Sequence, residues 1–215
     1  KIYIFVANDN EKIEYEKYTS PDDYNEIVVG VLGINKQRNF ITSYFPDGLY
    51  IISIDDDIES IMNMGNLGIE IDNFEELIQS NYHLMDSHNC DTWGIYPVNN
   101  TFFMKSQKEF TYDFKFIIGC LFGFINNKNY ILSNNCECKE DYERSVLSYM
   151  NRGAIMRCNH ISIKTKFYAV GGLGKDRDIA NAKGLEYLID TYPLHFAKKV
   201  RRNGRTELRT KRITY

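Results

Sequence analysis

The stretch Ile51-Ile52-Ser53-Ile54-Asp55-Asp56-Asp57-Ile58-Glu59-Ser60-Ile61 decides how the rest of the chain reads. An apolar, β-branched run passes straight into three adjacent carboxylates, and apolar character then resumes. A strand covered on both faces produces such a run. Its carboxylates leave together at the strand's C-terminal end, where open α/β sheets keep their ligand crevice. Alternation along an extended chain aims Asp55 and Asp57 to one side and Asp56 to the other. Crowded carboxylates repel, and a divalent cation relieves that repulsion most simply. Hard oxygen ligands of this kind suit Mg2+ or Mn2+, with phosphate oxygens and water completing the shell. A polar loop with three solvated carboxylates is the competing reading of the triplet alone.

Upstream, Lys1 to Ala7 reads as a first buried strand, stopped by the turn-prone Asn8-Asp9-Asn10. Glu11 to Tyr18 is a short exposed helix or loop, interrupted by Pro21 and Asp22-Asp23, and Glu26 to Val31 is a second strand. A helix opening at Gly33 carries Phe40, Ile41 and Tyr44. The turn Pro46-Asp47-Gly48 follows it, and Tyr50 to Ile54 is the third strand. This β-α-β rhythm predicts one α/β domain over residues 1–215, with a mostly parallel central sheet flanked by helices.

Downstream, Phe74 to Asn81 has helical character. Asn89 to Asn100 reads as a loop whose Trp93-Gly94-Ile95-Tyr96-Pro97-Val98-Asn99-Asn100 lines a substrate, unless Trp93 folds back onto the core. Phe114 to Ile125 is almost wholly apolar and predicts a central strand, with Gly119 and Gly123 permitting close approach. A turn over Asn126 to Asn129 leads to a short strand, Tyr130 to Ser133. Lys139 to Met150 is a helix, whose first turn favours Glu140 and Asp141 on structural grounds alone. Gly153 to Cys158 and Ile161 to Lys166 are strands leading to Tyr168. The glycines of Gly171-Gly172-Leu173-Gly174 let the backbone approach a phosphate. A helix over Ala180 to Tyr192 stops at Pro193, and Asn203-Gly204 between two basic runs signals a C-terminal hairpin.

A chain of 215 residues is long enough for one sizeable domain. No run approaches the ~18 apolar residues of a membrane span, and no basic-then-apolar leader opens the chain, so no membrane is expected as a partner. The numbering opens on Lys1 rather than Met, which suggests a start inside a longer chain or after processing. Cys90, Cys120, Cys136, Cys138 and Cys158 are odd in number and irregularly spaced, as free thiols of a cytoplasmic protein would be. Cys136-x-Cys138 is half a zinc site with no second pair. The net charge of −3 hides an asymmetry. From Lys198 to Tyr215 eight basic residues face one acidic residue, Glu207, a net of +7 that leaves −10 for the remainder. An acidic body with a basic end suits an anionic partner.

Taken in order, Ile4-Phe5-Val6-Ala7-Asn8, Gln37-Arg38-Asn39, Asp55-Asp56-Asp57 and Trp93-Gly94-Ile95-Tyr96-Pro97 resemble the TET/JBP-associated glycosyltransferases, relatives of the base J DNA glucosyltransferase. Glu140-Asp141-Tyr142-Glu143-Arg144-Ser145, Arg157-Cys158-Asn159 and Gly171-Gly172 add to the set. The resemblance runs from near the start to about Arg209. It implies a GT-A type fold, a nucleotide-sugar donor (a UDP-sugar first), Mn2+ or Mg2+ at Asp55 and Asp57, and DNA with hydroxymethylated pyrimidines as acceptor. It also implies donor contacts from Ala7, Asn8, Arg38, Asn39, Asp56, Trp93, Arg157, Gly171 and Gly172. GT-A enzymes often add a late histidine ligand, for which His160 and His195 are the candidates here. The Asn-, Ile- and Tyr-rich composition suggests an A/T-rich genome and the cytoplasm of a phage- or virus-infected host.

The residues support the same chemistry on their own terms. A departing sugar diphosphate needs its charge neutralised, which a cation at Asp55 and Asp57 would do. An acceptor hydroxyl must lose a proton, so an inverting enzyme wants a carboxylate base, Asp141 or Glu140; a retaining enzyme does not. Arg201, Arg202, Arg205 and Arg209 on the hairpin are the expected DNA contacts. A protein or glycan acceptor, and a catalytically silent nucleic-acid-binding module, are the other readings. Intact Asp55, Asp57 and Asp141 argue against the last.

Overall fold

A computed structural model describes residues 1–63, 71–165 and 177–213. The described residues form an α/β structure with six helices and a mixed five-stranded sheet. The expected Gly171-Gly172 loop and Tyr168 lie outside them.

Strands β1 (Tyr3–Val6) and β2 (Glu26–Val29) pair in parallel around helix α1 (Asp9–Tyr18). Asn8 caps α1 by accepting from Glu11 N at 3.0 Å, and Glu11 answers by accepting from Ala7 N at 2.7 Å. Those reciprocal bonds satisfy donors that a helix start leaves open. Helix α2 (Ile34–Tyr44) packs its aromatic side on β1, with Phe5 edge-on to Phe40 and Tyr44.

The sheet has the order β3-β7-β5-β8-β6, from strands β3 (Tyr50–Ile54), β5 (Thr92–Ile95), β6 (Phe110–Thr111), β7 (Leu121–Ile125) and β8 (Met156–Cys158). Only β5 and β8 are parallel neighbours; β3–β7, β7–β5 and β8–β6 are antiparallel. The sheet is therefore mixed rather than mostly parallel. The cause is β7, which inserts between β3 and β5 and runs against both. Gly123 makes the insertion possible, because a Cβ there would stand 2.1 Å from Trp93 Nε1. A second ribbon pairs β4 (Ile58–Asn63) with β9 (Ile161–Thr165) in antiparallel fashion.

Helices cover both sheet faces. On one, Phe122 packs with Val146 and Tyr149 of α5 (Glu140–Arg152) and Leu185 and Leu188 of α6 (Arg177–Thr191). Phe196 and Leu208 join them from the hairpin of β10 (Phe196–Val200) and β11 (Thr206–Thr210). On the other, Leu121, Trp93 and Ile95 pack with Met85 of α3 (Ile71–Ser87). No helix among the described residues is long and apolar enough to cross a membrane.

Three expectations change. Thr92–Ile95 is a fully buried strand, not a loop, and Trp93 is 0% exposed in the core. Only the last five residues of Phe114–Ile125 are strand, since Ile117 N donates to Ser145 Oγ rather than to a neighbouring strand. Tyr130–Ser133 is irregular because side chains take the place of a ladder. Leu132 exchanges two bonds with the Asn39 amide, and Ser133 N donates to Glu143 at 2.7 Å.

The tight Gly123–Trp93 contact carries a prediction. Gly123→Ala should destabilise the fold by about 1–3 kcal/mol, the cost of overpacking a filled core. At about 2–4 °C per kcal/mol for a chain of this size, calorimetry would record a drop of several degrees in Tm. An unchanged Tm would mean that the indole is not wedged against β7.

Candidate functional site: a strand-end carboxylate cluster

The sheet brings the acidic triplet to other acids. Asp55 N donates to Cys120 O at 2.9 Å, one step beyond the Ile54–Leu121 pair, so the β3–β7 ladder runs into the triplet. Asp56 and Asp57 then form the exposed turn into β4. Because β7 starts where β3 ends, Gly119 and Cys120 stand beside Asp55. A Cβ on Gly119 would lie 3.1 Å from Glu140 Oε1 and 3.4 Å from the Asp141 Cβ, so the first turn of α5 closes over the same spot. Ser145 fixes that approach. Its hydroxyl donates to Asp141 O at 2.7 Å and accepts from Ile117 N at 3.0 Å, tying the helix start to the segment that enters β7.

Two arginines share this cluster. Arg38, from α2, donates to Asp55 Oδ1 at 2.7 Å, to Gly119 O at 2.9 Å and to Ser53 Oγ. Arg144 lies four residues beyond Glu140, one helical turn along the same face. Its guanidinium carbon stands 4.1 Å from the centre of the Phe122 ring, and its buried Nη2 has no hydrogen-bond partner among the described residues. Arg38, Arg144, Ser53 and Phe122 line a small cavity of about 30 Å³, room for a water or two.

The electrostatics divide the acids into two kinds. Asp57 is exposed, and its carboxyl is raised by partial desolvation and then by Asp55 and Asp56. Enclosure raises Glu140, with Arg144 and Arg38 pulling the other way. Asp141 is pushed up to about 8, first by desolvation and next by Glu140. Its Oδ1 accepts from Tyr142 N at 2.9 Å, whereas Oδ2 has no hydrogen-bond partner among the described residues. Burial and the neighbouring Arg38 lower Arg144 to about 10, so it stays charged at neutral pH. Burial and Asp55 push the Cys120 thiol up to about 12, which leaves it an inert neutral neighbour.

Compared with protein-family models, with curated proteins and with solved structures, the chain matches none.

The structure thus gathers Arg38, Asp55, Glu140 and Asp141, with Asp56 and Asp57 on the adjoining turn. Tyr15 donates to Asp56, bringing α1 to the cluster. Ala7 and Asn8 are engaged in capping α1, and Asn39 clamps the backbone at Leu132. Trp93 is in the core and not on a ligand surface. Arg157 stands apart: it donates to Asn159 at 2.7 Å and lies over the Tyr96 ring, so it roots the segment after β5. The two histidines also lie elsewhere. His160 packs on Phe110 beside Glu109, and His195 between Phe114 and Tyr149, where burial lowers its proton affinity. Glu143 serves the fold, accepting from Ser133 N and the Tyr187 hydroxyl.

Among the described residues no three His, Cys, Asp or Glu side chains form a ready-made metal cage. Two carboxylates still fit Mg2+ or Mn2+, which commonly take one or two acids and draw the other ligands from water and substrate phosphates. Arg38 occupies Asp55 Oδ1, leaving Oδ2 and the exposed Asp57 as donors.

All four expected arginines of the hairpin are exposed. Glu207 pairs with Arg201 at 2.5 Å and Glu186 with Lys198. No acidic partner engages Arg202, Arg205 or Arg209 among the described residues. Tyr142, next to Asp141, has its ring 6.0 Å from Phe196 of β10, so the hairpin is rooted beside the acid cluster.

Arg144 had no assigned role on sequence grounds. Its signal was present in the Glu140-x-x-x-Arg144 spacing, an opposite-charge pair on one helix face. The close approach at Gly119 was expected, but that the first turn of α5 makes it, and the roles of Cys120 and Ser53, depend on which elements lie side by side, and short-range sequence does not carry that.

Proposed function

We propose that the chain is a metal-dependent, inverting glycosyltransferase of GT-A type. It moves a sugar from a nucleotide-sugar donor to the hydroxyl of a hydroxymethylated pyrimidine in DNA. One observation carries this reading: the Asp55–Asp57 strand end meets the Glu140–Asp141 helix start across Gly119 and Cys120. Two acid sets with different environments then serve two tasks. The exposed set is suited to a cation, and the enclosed carboxyl, with its proton affinity raised to about 8, is suited to general base work near neutral pH.

A divalent ion between Asp55 and Asp57 would neutralise the diphosphate as the glycosidic bond breaks. Arg38 holds Asp55 in place from α2, and Arg38 and Arg144 offset the crowded negative charge. Asp141 Oδ2 takes the proton of the acceptor hydroxyl while its oxygen attacks the anomeric carbon opposite the leaving group. The basic hairpin, rooted through Phe196 and Tyr142, brings a polyanion toward an otherwise acidic body.

The donor site is tested by titration calorimetry with UDP-sugars in the presence and absence of Mn2+. Asp57→Ala should abolish metal-dependent donor binding, and Asp55→Ala should weaken it while also freeing Arg38. Asp57 is exposed, so its variant should keep the parent's Tm, whereas Asp55→Ala leaves the largely buried Arg38 without its ion-pair partner and should lower it. Parent-like titrations of both variants would remove the triplet from donor binding.

A further inference from the structure

A second feature lies at the same end of the sheet strands as the acids. Strands β3, β5 and β8 run in one direction, so Asp55, the segment after Ile95 and the segment after Cys158 all emerge together. The segment after β5 is tied down. Tyr96 N donates to Ile161 O at 2.8 Å, and Arg157 lies over the Tyr96 ring. It then forms a short helix, α4 (Thr101–Lys105), in which Asn100 accepts from Phe102 N at 3.1 Å and Met104 is buried.

Anchored in this way, α4 holds two phenyl rings in water. Phe102 is 78% exposed and Phe103 52%, with ring centres 5.4 Å apart in an edge-to-face pair. Adjacent exposed aromatics on a capped turn with a buried anchor are costly to leave wet, and such patches mark contact surfaces. The charge around them names the partner. From Thr92 to Lys108 there is no acidic residue, in a chain whose remainder is acidic, and the exposed Lys105 and Lys108 follow the rings, ahead of Glu109. An exposed aromatic pair with two cations following it in an acid-free stretch fits a nucleic acid, where bases take the rings and phosphates take the lysines.

We propose that Phe102 and Phe103 form a wedge against the base stack of the acceptor DNA, beside the pyrimidine that enters the acid cluster. The proposal rests on the DNA-glycosyltransferase reading, and it adds how the acceptor is presented. The hydroxymethyl group of a duplex pyrimidine lies in the major groove, whereas the Asp141 carboxyl is enclosed where the first turn of α5 closes on Gly119. Turning the nucleotide out of the stack brings the two together. Apolar side chains pressed between base steps lower the cost of that opening. The lysines position the backbone, and the rings supply contact that is indifferent to salt.

The test uses the full chain and a duplex carrying one 5-hydroxymethyluracil with 2-aminopurine beside it. Phe102→Ala with Phe103→Ala should weaken binding tenfold or more, as expected for the loss of stacked bases. It should also suppress the 2-aminopurine fluorescence rise that reports unstacking. The dependence of affinity on salt should stay that of the parent, because no phosphate contact is lost. Donor hydrolysis without DNA should be unchanged, as should the Tm. Phe102→Trp should retain both binding and the fluorescence rise. Parent-like affinity and fluorescence in the double alanine variant would overturn the proposal. So would a change of sedimentation behaviour with DNA binding intact, which would make the rings a contact between copies. A parent that opens DNA through these rings but transfers no sugar would keep this site and remove the glycosyltransferase reading. A parent that transfers sugar regardless of the rings would remove this site alone.

Discussion

Asp141→Asn should cost roughly 10² to 10⁴ in turnover, the usual contribution of a general base, with donor affinity preserved. The amide keeps the acceptor of the Tyr142 N–H bond but cannot take a proton, so the helix start should survive. The parent's pH profile follows from the same group. A base works deprotonated, so kcat/KM should rise with pH and level off above about 8, and Asp141→Asn should flatten that limb. Stability should move the other way. The folded chain holds this proton more tightly than the unfolded chain does. The stabilisation is therefore fully present below the ordinary carboxylate range and is lost as pH rises through about 8. Near-normal turnover in the variant would move the base to Glu140, since Glu143 is committed to Ser133 and Tyr187. A retained anomeric configuration in the product, read by proton NMR, would remove the need for any such base.

The second large effect is on the acceptor. Replacing Arg201, Arg202, Arg205 and Arg209 with Ala should weaken DNA binding strongly at low salt. It should also flatten the plot of log affinity against log salt by several units, at about 0.9 per lost phosphate contact on duplex DNA. Arg201 already faces Glu207, so Arg202, Arg205 and Arg209 should account for most of the change. The hairpin packs through Phe196 and Leu208, which the substitutions leave alone. Donor hydrolysis without acceptor should survive. An unchanged affinity and salt slope would mean that the hairpin is not the DNA-binding element. This signature is the opposite of that expected for the Phe102 and Phe103 pair, so the two surfaces can be told apart in one titration series.

How much of this was legible in the sequence follows from the range of the interactions involved. The Tyr50–Ile54 strand, the helix from Glu140 and the Asn203-Gly204 hairpin were readable because each depends on local pattern, a first-turn charge preference or a turn dipeptide. The buried strand Thr92–Ile95 was not. Its four residues include Gly94, whose missing side chain makes room for Ile117, and turn formers flank it on both sides. The antiparallel β7 was hidden for a similar reason. A continuous apolar run says that a segment is buried and nothing about its direction. In the candidate site, Asp55 and Asp141 were identifiable as acids placed before or after regular elements. Their meeting across Gly119 depends on strand order. Trp93 and Arg157 were drawn toward the site by motif, yet one is core and the other anchors Tyr96.

The central claim is sugar transfer to DNA. The direct measurement is to incubate the chain with Mn2+, a panel of UDP-sugars and oligonucleotides containing 5-hydroxymethylcytosine, 5-hydroxymethyluracil or the unmodified bases. The DNA is then digested to nucleosides for mass spectrometry. One hydroxymethylated nucleoside should gain the mass of one sugar, only with a divalent ion, and not with Asp141→Asn. No gain on either modified base, alongside transfer of the same sugars to a glycan or peptide acceptor, would contradict the account.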